Sequence, residues 1–360
     1  MHEPNLSNFV ITWDEDLFSN YSDYNISEAE LDKSVEICLA TSISPAVHIA
    51  VCTFYILIFL LAIPGNLVVG LVIGSRKQAL SPSDVYLLNL AAADTLLALT
   101  LPLWATALVR GWVFGDFTCK LVSLVQEVTF YSSILFLACI SVDRYLVIVR
   151  AMETRKQSRR LCSAVMSAAI WVAGAVFALP VLYNEVFLPP GAEQMVCAEQ
   201  YDPVQAQAWR FSTRMLRHTL GFLLPLAVML LCYGVTVARL LRTRGFQKQR
   251  AMRVIVAVVA AFLLCWTPYH VSVMADTLMR AKLVNFGCGA RRAVDRALFG
   301  TQSLGLLHCC VNPVLYAFIG EKFRRNMLLL LCRKKVRERG SGSRISRSTS
   351  QTSEANSTLM

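Results

Sequence analysis

The sequence predicts an all-α membrane protein, namely a seven-transmembrane-helix bundle followed by a short amphipathic C-terminal helix. Of the 360 residues, 55% are apolar and only 16% are charged, whereas soluble chains contain about 25% charged residues. A bilayer core of about 30 Å needs about 20 helical residues to cross it, and apolar stretches of that length recur through the chain. These observations exclude a soluble enzyme.

Seven stretches are long enough and nearly free of Asp, Glu, Lys and Arg. In chain order they are 46–74, 85–109, 121–142, 161–184, 219–238, 254–275 and 297–320. Two of them contain one acidic residue each, Asp94 in the second and Glu127 in the third. Each stretch is expected to be α-helical, because lipid cannot satisfy backbone polar groups and the alternating pattern of a membrane β-barrel is absent.

The placement of basic residues predicts the orientation in the plasma membrane. The segments after the first, third, fifth and seventh stretches hold 24 of the 35 Lys and Arg residues, and such residues concentrate in cytoplasmic loops. The first 45 residues contain nine acids and one base, Lys33, and are predicted to be extracellular. They lack the basic start and apolar core of a cleavable signal peptide, so the first stretch is expected to direct insertion. The basic residues flank the spans and form no single face, which argues against a nucleic-acid partner.

These features divide the chain into four segments. Residues 1–45 are predicted to be an extracellular acidic tail, 46–320 the transmembrane bundle, 321–331 an amphipathic helix on the membrane surface, and 332–360 a disordered cytoplasmic tail. Disorder is predicted because ten Ser and Thr residues between 341 and 358 lie among Gly, Arg and Asn, which cannot bury a core. These hydroxyl groups are candidate phosphorylation sites, and a solvated tail without a role is the alternative.

Several residues are candidates for covalent modification. Asn5, Asn20 and Asn25 each begin an Asn-X-Ser glycosylation acceptor on the outer tail, although chance acceptors are common. Cys332 lies beside Arg333 and two lysines after the amphipathic segment. This position is typical of palmitoylation, and an unmodified thiol is an equal alternative.

Four of the twelve cysteines fall in the tail and loops assigned to the extracellular side. They are Cys38, Cys119, Cys197 and Cys288. An even number of cysteines in an oxidising compartment indicates two disulfides, with free surface thiols as the alternative. Four cysteines allow three pairings, between which the sequence alone does not choose.

A polar centre is predicted near the middle of the bilayer. Asp94 lies near the midplane of the second span, and Asn66, Ser133 and Asn312 lie at comparable depths in three other spans. Ionisable residues at this depth are costly and usually mark function. The four residues are therefore candidates for a sodium-binding centre, and a structural hydrogen-bond cluster is the alternative.

The spans also carry a series of short motifs. In order they are Gly65-Asn66, Leu90-Ala91-Ala92-Ala93-Asp94, Asp143-Arg144-Tyr145, Trp171, Pro225, Cys265-Trp266-Thr267-Pro268-Tyr269 and Asn312-Pro313-Val314-Leu315-Tyr316. This series resembles the span-by-span signatures of rhodopsin-like G-protein-coupled receptors. Within that family, Thr100-Leu101-Pro102 with Trp104, and the segment 275–280, are similar to CXC chemokine receptors of the interleukin-8 type. The resemblance covers about 46–323 well and both tails poorly.

The resemblance implies a function and a set of partners. It implies a cell-surface receptor for CXC chemokines of the Glu-Leu-Arg type that activates an inhibitory-class heterotrimeric G protein, raises intracellular calcium and drives neutrophil chemotaxis. Receptor kinases and arrestin would bind the phosphorylated tail, and the last residues, Thr358-Leu359-Met360, are a weak candidate for a PDZ domain. It also implies disulfides between Cys119 and Cys197 and between Cys38 and Cys288.

The same resemblance assigns residues to the conformational switch and to coupling with the G protein. They are Asp143, Arg144, Tyr145, Tyr233, Trp266, Pro268, Asn312, Pro313 and Tyr316. Trp266 would repack above Pro268 when a ligand binds. Adjacent Asp143 would hold Arg144 in the resting state, because the segment 239–253 contains no acidic partner for it.

Candidate ligand contacts lie in the outer tail and in the outer mouth of the bundle. They are Asp14, Asp16, Tyr21, Tyr24, Arg210, Arg214, Arg217, Asp276, Arg280, Arg291, Arg292 and Gln302. Chemokines are basic, so an acidic tail would attract them and speed encounter. In the mouth, Arg214 would bind the carboxylate of the Glu-Leu-Arg element and Asp276 its guanidinium. Ordinary loop solubility is the alternative explanation of these charges.

Five residues depart from the family pattern, two of which, Val147 and Arg150, follow Asp143-Arg144-Tyr145. Gln302 replaces an acidic residue, Gln126 replaces a lysine beside Glu127, and Cys309 replaces a serine shortly before the Asn-Pro pair. Glu127 is thereby left without its expected partner, and the sodium-site prediction at Asp94 is weakened. These departures bear on the choice of ligand more than on the fold.

Other classes of function are disfavoured. A chemokine scavenger that does not signal is the main alternative, against which the intact Asp143-Arg144-Tyr145 argues. A transporter would show internal repeats, and none is found. A retinal-binding pump would need a lysine between 297 and 320, which the sequence lacks. No nucleophile, base or metal-ligand set occurs at catalytic spacing, so no enzymatic activity, cofactor or metal other than the sodium ion is predicted.

Overall fold

The computed structural model describes residues 44–75, 80–150, 156–189, 193–202, 204–241, 246–281, 287–319 and 327. Within these residues the α-helices are α1 Pro45–Gly74, α2 Pro82–Arg110, α3 Gly115–Ile148, α4 Lys156–Phe177, α5 Ala206–His218, α6 Leu224–Leu241, α7 Phe246–Arg280, α8 Cys288–Leu306 and α9 His308–Ile319. Among the described residues, five segments are long and apolar enough to cross a membrane by length and composition.

Two of the spans are each built from two helices. A π-helical turn, Thr219–Leu223, joins α5 to α6 without a break, and it lies directly before Pro225, which has no backbone N–H to donate. Leu307 alone separates α8 from α9. With these junctions the chain forms seven helical spans, as the sequence predicts.

Most helical spans are longer than the uncharged stretches from which they are predicted, but α4 ends at Phe177, before the predicted end at residue 184. The fifth span begins at Ala206, not at residue 219, and α3 runs over 34 residues from Gly115 to Ile148. Charged and polar residues occupy these extra turns, because the ends of a span reach the polar headgroup region. The extra turns of α5 therefore build the wall of the outer mouth.

The core lies where α3 meets α6 and α7. The side chains of Phe136, Met229 and Phe262 are almost completely buried there. On the opposite faces Leu231 and Leu264 are 70% and 74% exposed, which is the pattern of a helix bundle whose outer surface faces lipid. A central α3 places its polar residues in contact with the other spans.

A β-hairpin covers the outer mouth. Strands β1 Asn184–Phe187 and β2 Val196–Glu199 pair antiparallel, and a disulfide from Cys197 to Cys119 ties β2 to α3. The backbone N–H of Val186 donates to Asp116 at 3.0 Å. One disulfide and one hydrogen bond to α3 therefore hold the hairpin over the bundle.

Gly111 makes a second attachment of this hairpin possible. Its φ of 72° is in the left-handed region, and a Cβ there would lie 2.8 Å from the carbonyl oxygen of Met195. The next backbone N–H, that of Trp112, donates to the same oxygen at 2.7 Å. Glycine is required here because the two backbones approach too closely for a side chain.

Some predicted segments lie outside the described residues. These include the acidic tail with Asn5, Asn20 and Asn25, almost all of the predicted amphipathic helix 321–331, and Cys332. Cys288 is disulfide-bonded, and Cys38, the partner that the resemblance implies, also lies outside the described part of the chain. The segment boundaries at residues 45, 320 and 331 remain predictions.

Candidate functional site

A buried carboxylate joins three helices at the outer mouth. Asp276 on α7 is fully buried, and its oxygens pair with Arg214 of α5 at 2.6 Å, Arg280 of α7 at 2.9 Å and Arg291 of α8 at 2.8 Å. Arg214 also donates to Thr277 at 3.2 Å. A buried carboxylate requires such partners, because desolvation of an unpaired charge is costly.

This arrangement differs from the role expected for Asp276. The sequence analysis assigns this carboxylate to a guanidinium of the ligand, but in the structure three arginines of the chain itself already bind it. Three arginines thus surround the Asp276 carboxylate, and Arg291 also pairs with Asp295. The mouth therefore carries a cluster of guanidinium groups from Arg214, Arg280 and Arg291.

Glu127 has a partner that the sequence did not reveal. Arg217 of α5 forms an ion pair with Glu127 of α3 through Nη2, and its Nη1 donates to the hydroxyl of Tyr269 on α7 at 2.5 Å. The guanidinium carbon also lies 5.4 Å from the ring centre of Phe130 and 5.7 Å from that of Tyr269. Arg217 thus joins α3, α5 and α7.

A cavity opens beside these residues between α3, α5 and the hairpin. Its walls include Glu127, Tyr131, Glu199, Arg214 and Arg217. Glu199 ends β2 and faces the arginines from the hairpin side, a position that the sequence analysis missed because the hairpin carried no motif. Both signs of charge line the cavity, which suits a ligand with charged groups of both signs.

An aromatic cluster fixes the hairpin against α5. The rings of Tyr201 and Trp209 stack with an interplanar angle of 8°, and Tyr183 lies 5.4 Å from Trp209. Burial raises the pKa of the Tyr201 hydroxyl to about 12. This group therefore stays protonated at physiological pH, and the cluster carries no charge into the mouth.

The remaining predicted ligand contacts are less enclosed. Arg210 lies on α5, and Arg292 and Gln302 are exposed on α8. Arg291 also pairs with Asp295 at 3.2 Å. The tail residues Asp14, Asp16, Tyr21 and Tyr24 lie outside the described residues.

Trp266 lies below the mouth in a layer of rings. Its ring centre is 4.8 Å from Phe130, 5.6 Å from Tyr269 and 5.4 Å from His308, and its Nε1 donates to His308 at 3.2 Å. Gly305 on α8 faces the same indole, where an added Cβ would lie 2.9 Å from two of its carbons. Gly305 is a further member of this layer that no sequence motif indicated.

The polar centre at Asp94 is only partly as predicted. Asn312 donates to Asp94 at 2.7 Å, but the amide of Asn66 donates to the carbonyl oxygens of Ala62 and Cys309. His308 Nε2 lies 3.6 Å from the second oxygen of Asp94. Nitrogen atoms of Asn312 and His308 thus lie beside the carboxylate of Asp94, where a hard cation prefers oxygen ligands. These residues do not fit a sodium ion, and we assign it no role.

The cytoplasmic end of α3 also differs from expectation. Asp143 accepts a hydrogen bond from the hydroxyl of Ser83 on α2, and Arg144 Nε has no hydrogen-bond partner within the described part of the chain. Arg150 donates to Tyr145 at 3.4 Å. Ser83 is therefore a partner of Asp143 that the sequence did not indicate, because the two side chains meet only in the folded bundle. The resting contact between Asp143 and Arg144 stays a prediction.

The other switch residues lie on α6, α7 and α9. Tyr233 is buried on α6, and Pro268 lies inside α7 just after Trp266. Pro313 packs closely on Gly65 of α1, since a Cβ added to Gly65 would lie 2.9 Å from the proline ring. The side chain of Tyr316 lies outside the described residues.

Comparisons with known proteins can now be set beside this structure of seven spans, a tethered hairpin and a series of motifs. Residues 65–316 match the 7 transmembrane receptor (rhodopsin family). The C-X-C chemokine receptor type 1 of Oryctolagus cuniculus is 47% identical over 321 residues, which cover 89% of this chain and 88% of that receptor. The chain belongs to the C-X-C chemokine receptors of the rhodopsin family. The type 2 receptor of Homo sapiens is 50% identical over 281 residues, or 78% of each chain.

Membership in this family fixes several coarser properties. These receptors are not enzymes, and they span the plasma membrane several times. The C-X-C chemokine receptor type 2 of Bos taurus, at 45% identity, covers 91% of this chain and 89% of its own length. The relationship therefore extends over nearly the whole receptor and includes every span.

Proposed function

We propose that this receptor binds basic C-X-C chemokines of the Glu-Leu-Arg type and activates an inhibitory-class G protein, which raises intracellular calcium and drives neutrophil chemotaxis. The arginine cluster around Asp276 carries the proposal. Three guanidinium groups surround one carboxylate at the mouth, and such groups suit a carboxylate of the ligand. The relatives named as C-X-C chemokine receptors types 1 and 2 support the ligand class.

The two ends of the chemokine would meet surfaces of opposite charge. The basic body of the ligand would bind the acidic tail that contains Asp14, Asp16, Tyr21 and Tyr24, since complementary charge speeds encounter. Its acidic N-terminal element would then enter the mouth. There Arg210, Arg292 and Gln302 would add contacts around the Asp276 cluster.

Signalling would follow from selection of an open conformation that exists before the ligand binds. A ligand shifts the population only if it binds that conformation better. Trp266 would repack above Pro268, and Pro313 would allow the seventh span to bend because both prolines interrupt backbone hydrogen bonding. Arg144 would then contact the G protein, with Tyr233 and Tyr316 stabilising the open form near Asn312.

The tails would have separate roles. The N-terminus would lie outside the cell with glycans on Asn5, Asn20 and Asn25, and the C-terminus in the cytoplasm. Receptor kinases would phosphorylate the cytoplasmic tail and arrestin would bind it. Palmitoylation of Cys332 would anchor the tail, and a PDZ protein would bind the last three residues.

The test uses the receptor reconstituted in lipid nanodiscs with a purified inhibitory G protein. A panel of Glu-Leu-Arg chemokines is expected to accelerate nucleotide exchange, while CC chemokines are expected to have little effect. A response only to CC chemokines contradicts the ligand class. Chemokine binding without accelerated exchange on any heterotrimer would instead identify a scavenger.

The contact between Ser83 and Asp143 gives a prediction about basal signalling. We expect Ser83→Ala and Asp143→Asn to raise basal nucleotide exchange severalfold. The first removes a hydrogen bond to a buried carboxylate, a contact that contributes about 1.5 kcal/mol or more, and the second replaces that carboxylate with a neutral amide. Exchange is measured in nanodiscs without chemokine. Ser75→Ala, which removes an exposed hydroxyl on the neighbouring helix, is the control, and equal basal rates in all four proteins would refute the prediction.

A further inference from the structure

Arg217 contacts both the charged cavity between α3, α5 and the hairpin and the aromatic rings below it that pack around Trp266. It lines the cavity together with Glu127, and it is the residue of α5 that pairs with α3 and α7 at once. About a quarter of its side chain is exposed. A ligand in the mouth can therefore reach the guanidinium before the ion pair between Arg217 and Glu127 breaks.

The geometry requires an arginine. One Nη atom pairs with Glu127 while the other donates to Tyr269, and the planar group lies within 6 Å of two ring centres. A guanidinium has several donors in a fixed fork and stacks on aromatic faces, whereas a lysine ammonium is a compact point charge. A lysine at this position could keep the ion pair with Glu127 but not the other contacts of Arg217.

The two rings under Arg217 are those that contact Trp266. Phe130 lies 4.8 Å from the indole and Tyr269 lies 5.6 Å from it, both edge to face. All three rings are buried, so a close-packed layer transmits any displacement of one ring to the next. Arg217 thus sets the position of Trp266 through Phe130 and Tyr269.

We infer that Arg217 is a positioning residue that holds Trp266 in the resting arrangement, and that an anionic group of the ligand releases it by competing with Glu127. This inference deepens the proposed function and rests on it. Competition is chemically direct, because a carboxylate of the ligand and the carboxylate of Glu127 make the same charge-assisted hydrogen bonds. The replacement of lysine by Gln126 fits this role, since Arg217 is the cation that pairs with Glu127.

The test compares basal exchange with chemokine affinity. Arg217→Gln is expected to raise basal nucleotide exchange in nanodiscs about fivefold, the lower end of typical coupling between two sites, and to change chemokine affinity less. Arg217→Lys should raise basal exchange less. If Arg217→Gln does not fold, the lysine variant is used for the test in its place. Arg296→Gln removes an exposed arginine of α8 outside this network and should leave basal exchange unchanged.

Two further measurements separate a positioning role of Arg217 from a role in ligand binding alone. In receptor labelled with 5-fluorotryptophan, the resonance assigned by Trp266→Phe should shift in ligand-free Arg217→Gln toward its position in chemokine-bound wild type. Glu127→Gln and Arg217→Gln should also be non-additive in basal exchange, because they break the same ion pair. An unchanged Trp266 resonance and unchanged basal exchange, with only a loss of affinity, would overturn the inference.

Failure of the proposed function would look different. If no chemokine accelerated exchange in wild type, the ligand and coupling proposals would fail. The effect of Arg217→Gln on the Trp266 resonance of ligand-free receptor would still be measured against that of Arg296→Gln. A shift in the first variant alone supports the positioning role, and equal spectra reject it.

Discussion

Replacing Asp276 with asparagine is expected to lower the free energy of unfolding by about 3 kcal/mol, the lower end of the range for removing one partner of a buried ion pair. The asparagine has nearly the same shape, so the loss would come from charge. Arg214, Arg280 and Arg291 would be left facing one another without their shared carboxylate. Their side chains are 17% to 36% exposed, and the water that reaches them keeps the loss near the lower end.

Thermal unfolding of the purified receptor measures this effect. Asp295→Asn is the matched control, because Asp295 pairs with Arg291 alone at 3.2 Å and its side chain is 37% exposed. A surface pair of this kind contributes about 0.5 kcal/mol. The Asp276 variant should also lose most chemokine binding, since the cluster no longer has a defined geometry. Equal unfolding temperatures for the two variants would contradict the central role of Asp276.

Replacing Gly305 with alanine is the second change with a large expected effect. An added Cβ would lie 2.9 Å from Cε3 and Cζ3 of Trp266, closer than real side-chain contacts. The indole cannot move away freely, because Phe130, Tyr269 and His308 surround it. We expect a cost of about 1 to 3 kcal/mol for this overpacking and a displaced Trp266, with basal nucleotide exchange changed as a result.

Gly300→Ala is the matched control for this prediction. Gly300 lies on the same helix, and a Cβ there meets nothing within 4 Å. Alanine in an open helical position is expected to stabilise by about 0.5 kcal/mol or more. Opposite signs of the two changes in unfolding temperature, together with altered basal exchange only in Gly305→Ala, are the expected results. A Gly305→Ala receptor with wild-type stability and exchange would show that Trp266 has free space.

Several features of the site were predictable because they depend on single elements. The acidic residues Asp94 and Glu127 interrupt apolar stretches, and such interruptions mark buried polar sites before any contact is known. The disulfide between Cys119 and Cys197 follows the pairing that the family resemblance implies, and the structure contains it. Trp266 and Pro268 belong to a motif whose residues all lie on one helix, so the sequence is sufficient to find it.

Other features could not be predicted because they join distant residues. Ser83 on α2 carries no motif, and only the packing of α2 on α3 brings it to Asp143, 60 positions along the chain. The same holds for Gly305, whose role comes entirely from the indole opposite it. The three arginines around Asp276 could not be predicted either, because a sequence does not show which charges of separate helices meet.

The sequence by itself determined the class of fold, the number and order of the spans and the family of receptor. The fold class and the spans follow from local composition, since a bilayer imposes length and apolarity on every span separately. The family follows from the resemblance of the motifs in those spans. The tertiary structure alone decided which charges are partners: Arg217 with Glu127, and three arginines with Asp276. Pairing depends on how helices rotate and pack against one another, and that arrangement is set by contacts summed over the whole bundle.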